Sequence, residues 1–314
     1  MQIVTKVEPG ITQGSSVAVG FFDGVHKGHQ AVIRRAVDDA VKLGVPACAV
    51  TFQQHPQQVI ESKKAPELLT TLEQRLRYFE QLGIGLTLAL PFSKDISHLD
   101  PTEYVQKIFI ATLGVQSVSV GYNHHFAHNR QGTPVLLQEL GKKFNFQVHI
   151  MERVYVDGAE ASSSSIRGAL KEGNLGLANK LLGRHYAVSG LVVAGQGRGR
   201  QVTGFPTANL KLEEYQLIPL DGVYAGTTVL DGRSYPCAIN IGCRPTVTSD
   251  RTPTIEVHIL NFDNDIYGNQ LEVELWEYLR PEQKFAGIDA LKEQINKDCL
   301  RVDELVKCGS STYD

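Results

Sequence analysis

VGFFDGVHKGHQ, residues 19–30, joins the end of a strand to the start of a helix through a glycine turn. The apolar run Ser16-Val17-Ala18-Val19 breaks at Gly20, passes Asp23 and Gly24, and delivers His26-Lys27-Gly28-His29 into a segment with helical periodicity. Free backbone N–H groups and the positive end of a helix dipole make such a junction an anion site. Glycines let the backbone approach a polyphosphate. His26 and His29, one helical turn apart, can both aim N–H donors at a phosphoryl group as pyrophosphate leaves. Gly20, Phe21, Asp23, Gly24 and Gly28 are the accompanying candidates for phosphate contact, and the stretch reads as ATP-directed. Neither GxxxxGK[ST] nor GxGxxG occurs in the chain. The bland alternative is a pair of surface histidines beside a tight turn.

Outward from this junction the first half alternates helix and strand signals. Val32, Ile33, Ala36, Val37, Ala40 and Val41 recur at helical spacing and stop at Gly44, before a strand-like run from Pro46 to Phe52. Thr71 and Gln74 form a capping box for a helix ending at Gly83, and Ile84 to Phe92 suits a buried strand. Asp100, with Pro101 and Glu103 behind it, starts a helix that stops at Gly114; Val115 to Gly121 is the next strand. Thr133-Pro134 opens another helix, and Gln147 to Val156 returns as a strand. This alternation predicts a parallel sheet covered on both faces, with ligands bound outside the carboxyl ends of its strands. His26 and His29, then His55, then His124, His125 and His128 all fall where such ends should be.

A helical tail, Ser164 to Leu182, closes this half, and the pattern changes near Gly183. From Tyr186 the chain is rich in strands and turns, with Asp231-Gly232 marking a hairpin between Gly222–Leu230 and Arg233–Ile241. Thr254–Leu260 and Gln270–Leu279 alternate likewise, and Asp289 to Val306 returns to helical spacing. The expectation is a Rossmann-like α/β domain, 1–183, followed by a small antiparallel six-stranded β-barrel with a C-terminal helix, 184–314.

A chain of 314 residues favours two domains. Its 31 basic and 34 acidic residues give a net charge of -3, which argues against a general binder of nucleic acid or membrane surfaces. Cys48, Cys237, Cys243, Cys299 and Cys308 are scattered and never spaced CxxC, as expected of reduced thiols in a cytoplasmic protein. No apolar run approaches membrane-spanning length.

The second dense stretch is AGQGRGRQVTGFPTANL, residues 194–210. Gly197, Arg198, Gly199 and Arg200 offer backbone amides and guanidinium forks to phosphate oxygens. Thr207 and Asn209 lead into a strand and place a hydroxyl and an amide oxygen on one face, a donor set suited to Mg²⁺ carried in with ATP. Glu256 interrupts a strand and could receive a proton from a hydroxyl substrate, although alternation alone also yields an exposed glutamate there.

GFFDGVHKGH (20–29), FQQHP (52–56), GYN (121–123), SSSSIRG (162–168), GRGRQVTGFPTANL (197–210), DGVYAG (221–226), NIGCRPT (240–246) and EVHILNFDNDIYG (256–268) occur in one order. In that order the chain resembles the bacterial bifunctional riboflavin kinase/FAD synthetases. The resemblance implies riboflavin phosphorylation to FMN in the barrel and adenylylation of FMN to FAD in the first domain, with riboflavin, FMN and ATP as substrates. It implies that His26 and His29 hold the ATP phosphates and stabilise the transition state, that Asn123 falls in the nucleotide pocket, and that Ser163, Ser164 and Arg167 contact phosphate. In the barrel it implies Thr207 and Asn209 as Mg²⁺ ligands, Gly197–Arg200 as a cover over the phosphates, and Glu256 as the base.

The chain departs from the family pattern in two places. A segment of the GxDFRFG type is here Asn123-His124-His125-Phe126-Ala127, and if its last position needs positive φ, Ala127 costs about 1 kcal/mol relative to glycine. Gln53 and Gln54 replace the usual acidic residue before the His-Pro pair. Two other readings remain at this point. One is a kinase barrel carrying a degenerate, non-catalytic nucleotide-binding domain. The other is a hydrolase with a transition metal held by His26, His29, His124, His125 and His128.

Overall fold

Strands buried on both faces rather than alternately carry the first half, as a covered parallel sheet demands. The computed structural model describes residues 1–61, 65–195, 204–244 and 252–309, in two compact units, Met1–Ser163 and Ser164–Asp314. The first unit runs β1 (Gln2–Val4), β2 (Ser15–Val19), α1 (Lys27–Leu43), β3 (Ala47–Phe52), α2 (Pro56–Ile60), α3 (Leu72–Gln81) and β4 (Leu86–Leu90). It continues through α4 (Lys94–Ser97), α5 (Pro101–Tyr104), β5 (Val115–Gly121), α6 (Pro134–Phe144), β6 (Gln147–Met151) and the hairpin β7 (Tyr155–Val156) and β8 (Ala159–Glu160).

The six-stranded sheet has the order β1-β4-β3-β2-β5-β6, every pair parallel. From β2 the chain moves to β3 on one side and later to β5 on the other. The carboxyl end of β2 is therefore the point where the strand order reverses, the place at which open α/β sheets bind their ligands. Alternate residues of one strand serve opposite faces. Val17 and Val19 pack with Tyr104, Val105, Phe109 and Leu137, whereas Ala18 packs with Val32, Ile33, Ala36 and Phe79.

The predicted caps form. Thr71 Oγ1 accepts from Gln74 N while Gln74 Oε1 accepts from Thr71 N, and Asp100 and Glu103 cap each other likewise. Three expected elements differ in detail. The helix begun at Asp100 widens into a π-helix over Val105–Thr112, where Thr112 Oγ1 donates to Lys107 O. The run Gln147–Val156 ends as a sheet strand at Met151, and a turn at Asp157 (φ 51°) and Gly158 (φ 81°) folds its remainder into the hairpin. The tail 164–182 is two helices, α7 (Ser163–Lys171) and α8 (Leu175–Leu182), because Gly173 (φ 77°) ends the first and the Asn174 side chain caps the second.

In the second unit, β9 (Tyr186–Val193), β10 (Ala208–Leu212), β11 (Gly222–Leu230), β12 (Arg233–Arg244), β13 (Thr252–Ile259) and β14 (Gln270–Arg280) form a closed antiparallel barrel in the order β10-β13-β12-β11-β14-β9. Ile239, Ile255, Val257, Leu271, Val273 and Leu275 are buried, alternating with partly exposed neighbours, as a filled barrel requires. Asp231 (φ 48°) and Gly232 (φ 75°) make the predicted two-residue hairpin turn. Helix α9 (Ile288–Cys308) places Val302 on Ala225 and Leu260.

Candidate active sites

In the first unit, three of the predicted histidine segments follow β2, β3 and β5, which are adjacent in the sheet. His26 is the N-cap of α1: its Nδ1 accepts the His29 backbone N–H at 3.3 Å. An accepting Nδ1 leaves the ring proton on Nε2, which makes that atom a donor. The His29 ring stacks on that of His26 at 3.6 Å between centroids. His26 is buried, 6 % exposed, so the pair is not a surface accident. Gly28 has a packing reason: a Cβ there would lie 2.9 Å from Ala161 O and 3.1 Å from the His26 ring.

The turn before α1 is strained. Phe22 (φ 58°), Gly24 (φ 84°) and Val25 (φ 40°) all have positive φ, and for the bulky Phe22 and Val25 each such conformation costs about 1–3 kcal/mol. Two buried polar groups hold it. Asp23 Oδ1 accepts from Leu69 N at 2.8 Å and Thr70 N at 3.2 Å, while Gly24 N donates to Thr70 Oγ1 at 3.0 Å. Arg75, fully buried on α3, donates through Nη1 to Phe21 O at 2.7 Å and through Nη2 to Gln53 O at 3.1 Å, and stacks over the Phe21 ring. Burial lowers the Arg75 pKa to about 10, against the opposing pull of the Asp23 charge. Asp23 and the Phe21 carbonyl thus shape the loop, and Gly20 N donates to Val50 O at 3.1 Å.

His55 caps α2 through Nδ1 and meets the Phe21 ring edge-on at 4.8 Å. Gln53, at one departure from the family pattern, uses its Nε2 to bind Ala89 O at 3.1 Å. Asn123 is exposed in the turn after β5, its carbonyl 3.0 Å from His125 Nδ1. Ala127 has φ 64° and ψ −173°, so the position does take the glycine-favouring conformation. His124 stacks on Phe126, and burial holds its pKa down to about 4. Ser163 Oγ donates to Asp23 O at 2.9 Å, bringing it to the β2–α1 loop. Ser164 and Arg167 lie in the first turns of α7, within the second unit. Among the described residues, no three or more His, Cys, Asp or Glu side chains are grouped to hold a metal ion, so the histidine-rich metal reading gains no support.

In the barrel, β13 runs between β10 and β12, and Glu256 is opposite Asn209 on one side and Asn240 on the other. Residues directly opposite in antiparallel strands share a face, so the three side chains form one row. Two residues along, on the same face, His258 Nδ1 donates to Pro206 O at 2.7 Å and its ring meets Phe205 edge-on. That bond fixes the carbonyl immediately before Thr207. Asn209 lies so close over Gly195 that a Cβ there would be 2.3 Å from Asn209 Nδ2. Asn240 Nδ2 donates to Glu282 Oε1 at 3.0 Å. Gly197, Arg198, Gly199 and Arg200 lie outside the described residues.

Sequence reasoning gave no role to Arg75, His258 or Asn240. Arg75 sits at an apolar position of the stripe Leu72, Arg75, Leu76 and Phe79, and that was its signal. For His258 it was the two-residue spacing from Glu256.

Comparison with known proteins bears on both units. Residues 8–165 match the FAD synthetase family model and residues 182–306 the riboflavin kinase model. The chain is 40 % identical over 286 residues to the bifunctional riboflavin kinase/FMN adenylyltransferase of Pseudomonas fluorescens, covering 91 % of each. It is 36 % identical over 293 residues to the protein of that name from Escherichia coli (strain K12), covering 93 % of each. A crystal structure titled as a macrolide-efflux protein from Streptococcus pneumoniae superimposes with a TM-score of 0.85 and 29 % identity over 99 % of this chain and 100 % of that one. Among the described residues no helix is long and apolar enough to cross a membrane.

Proposed function

The chain belongs to the bifunctional riboflavin kinase/FMN adenylyltransferase family, and from that premise we propose how its residues divide the two reactions. The protein phosphorylates riboflavin to FMN and adenylylates FMN to FAD, and both are nucleotide-dependent transfers. We assign adenylyl transfer to 1–183 and phosphorylation to 184–314, a boundary that falls just inside the riboflavin kinase match.

In adenylyl transfer an FMN phosphate oxygen attacks the α-phosphorus of ATP. The bond to the bridging oxygen breaks, and pyrophosphate leaves. His26, with its proton on Nε2, and His29 bind the phosphates at the head of α1 and stabilise the charge that grows on the leaving group. The Gly28 amide, in the first turn of α1, adds a donor along the helix dipole, while the Gly20 and Gly24 amides are spent on Val50 O and Thr70 Oγ1 and serve the shape of the loop. Asn123 lines the nucleotide pocket from the β5 side, and Ser163, tied to the β2–α1 loop through Asp23 O, takes a phosphate oxygen.

In phosphorylation the terminal ribityl hydroxyl of riboflavin attacks the γ-phosphorus of ATP, and ADP leaves. Glu256 accepts the hydroxyl proton as the new P–O bond forms. Gly197–Arg200 cover the phosphates. Asn209 lies opposite the Glu256 carboxylate, and its amide oxygen and the Thr207 hydroxyl are hard donors of the kind that fit Mg²⁺; these residues would hold it. The ion would neutralise charge on the transferring phosphoryl group.

The observation that carries this reading is the Asn209–Glu256 register, together with a capped His26 at the sheet's reversal point. Retention of that capped pair disfavours a degenerate first domain. Four free cysteines among the described residues, Cys48, Cys237, Cys299 and Cys308, fit a reduced, cytoplasmic enzyme, and the net charge of -3 speaks for small-molecule substrates over nucleic acid or membrane partners. The test is chromatography of flavins after incubation with riboflavin and Mg-ATP. His29→Ala is expected to accumulate FMN without FAD, and Glu256→Gln to convert supplied FMN to FAD while leaving riboflavin untouched. Loss of both activities from either folded variant would refute the division.

A further inference from the structure

We propose that Arg75 is a positioning residue for adenylyl transfer, its guanidinium bridging the loops after β2 and β3 so that the strained turn presents His26 and His29 correctly. The proposal rests on the assignment of these histidines made above. Phe21 O belongs to the loop after β2 and Gln53 O to the loop after β3, and one planar fork reaches both, at 2.7 and 3.1 Å. Nη1 also lies 3.4 Å from Thr51 Oγ1, which itself donates to Phe21 O at 3.0 Å. Phe21 is therefore held by its carbonyl from two donors and by its ring from the guanidinium face at 4.1 Å.

The residue that follows is Phe22, the first of the positive-φ positions leading to Val25 and the His26 cap. Such conformations persist only where the surroundings over-determine them. Asp23 clamps the far side of the turn through Leu69 and Thr70, so Arg75 is the clamp on the near side. A fully buried arginine is a costly way to fill space, and its direct contacts here go to carbonyl and hydroxyl oxygens and an aromatic face, with Asp23 acting on it at longer range. Its bidentate geometry is what a lysine cannot reproduce.

The experiment compares Arg75→Met, Arg75→Lys and His29→Ala in the full-length enzyme, with steady-state FMN adenylylation, riboflavin phosphorylation and thermal melting on each. Bridging predicts that kcat for adenylylation falls about tenfold or more in both Arg75 variants. KM for ATP should change less than about threefold, and phosphorylation should stay at the wild-type rate. A lowered melting temperature with unchanged kcat would make Arg75 merely structural. A wild-type kcat in Arg75→Lys would make the charge, not the bridge, the cause; either result overturns the proposal. Arg75→Lys keeps the stem and charge and decides the matter if Arg75→Met melts below assay temperature. Full adenylylation by His29→Ala would instead overturn the histidine assignment.

Discussion

The Nδ1 atom of His26 accepts the backbone N–H of His29, so one histidine both starts the helix and orients the other. Capping uses Nδ1, and the anion binding proposed for His26 would use Nε2, so the two roles are separable. Asparagine is a strong N-cap, whereas alanine is not. His26→Asn is expected to keep the wild-type melting temperature yet lose about 100-fold or more in FMN adenylylation. His26→Ala should lose the same activity and about 1 kcal/mol of stability as well. Melting curves and flavin chromatography on both variants check this.

His258 holds the Pro206 carbonyl that precedes Thr207. His258→Phe preserves the ring against Phe205 and removes only the bond, at a stability cost of about 0.5–1.5 kcal/mol. Phosphorylation should fall about tenfold through misplacement of Thr207, with the requirement for Mg²⁺ raised and adenylylation unchanged. Titration of riboflavin kinase activity with Mg²⁺ measures the effect.

Ala127 holds a backbone conformation that glycine adopts freely. Ala127→Gly should stabilise the first unit by about 1 kcal/mol, a rise of roughly 2–4 °C in its melting temperature. A fall would show that the loss of the Ala127 methyl from its partial packing outweighs relief of the strain.

His124 is kept neutral by burial, with a folded pKa of about 4 against an ordinary value of 6.5. The unfolded chain binds the extra proton first, so the stability that depends on a neutral ring is complete above the ordinary value and drains away as pH falls toward 4, by about 1–3 kcal/mol. His185, stacked on Trp276 in the other unit, shifts in the same direction for the same reason. His124→Phe should flatten the acid side of the stability profile in the first unit. Melting temperatures at several pH values across that range test it.

Much of this architecture was legible. Thr71 with Gln74, and Asp100 with Glu103, announced their helices because capping is written in residues three apart. Asp231-Gly232 announced its hairpin through backbone preference alone. What stayed hidden depended on distant partners. The short strand β1 carries too few residues to show a period and exists because Gln2–Val4 pairs with Leu86–Leu88. The widening of the helix after Tyr104 left no mark, since a π-turn has no residue code of its own.

The candidate sites divide the same way. His26, His29, Thr207, Asn209 and Glu256 stood out by local spacing or resemblance. Asn240 became visible only when the register set it beside Glu256, across a ladder between residues far apart in the chain. Arg75 was obscured by its setting, because a basic residue in an amphipathic helix ordinarily faces water.

The barrel's two ends meet where β9 pairs with β10, and so among the described residues every strand of that ring has a neighbour on both sides. Closure removes the edge onto which another polypeptide would zip, the device by which a folded ring is kept from seeding sheet-like fibres. In the parallel sheet that exposure falls to β1 and β6, the strands on its rims.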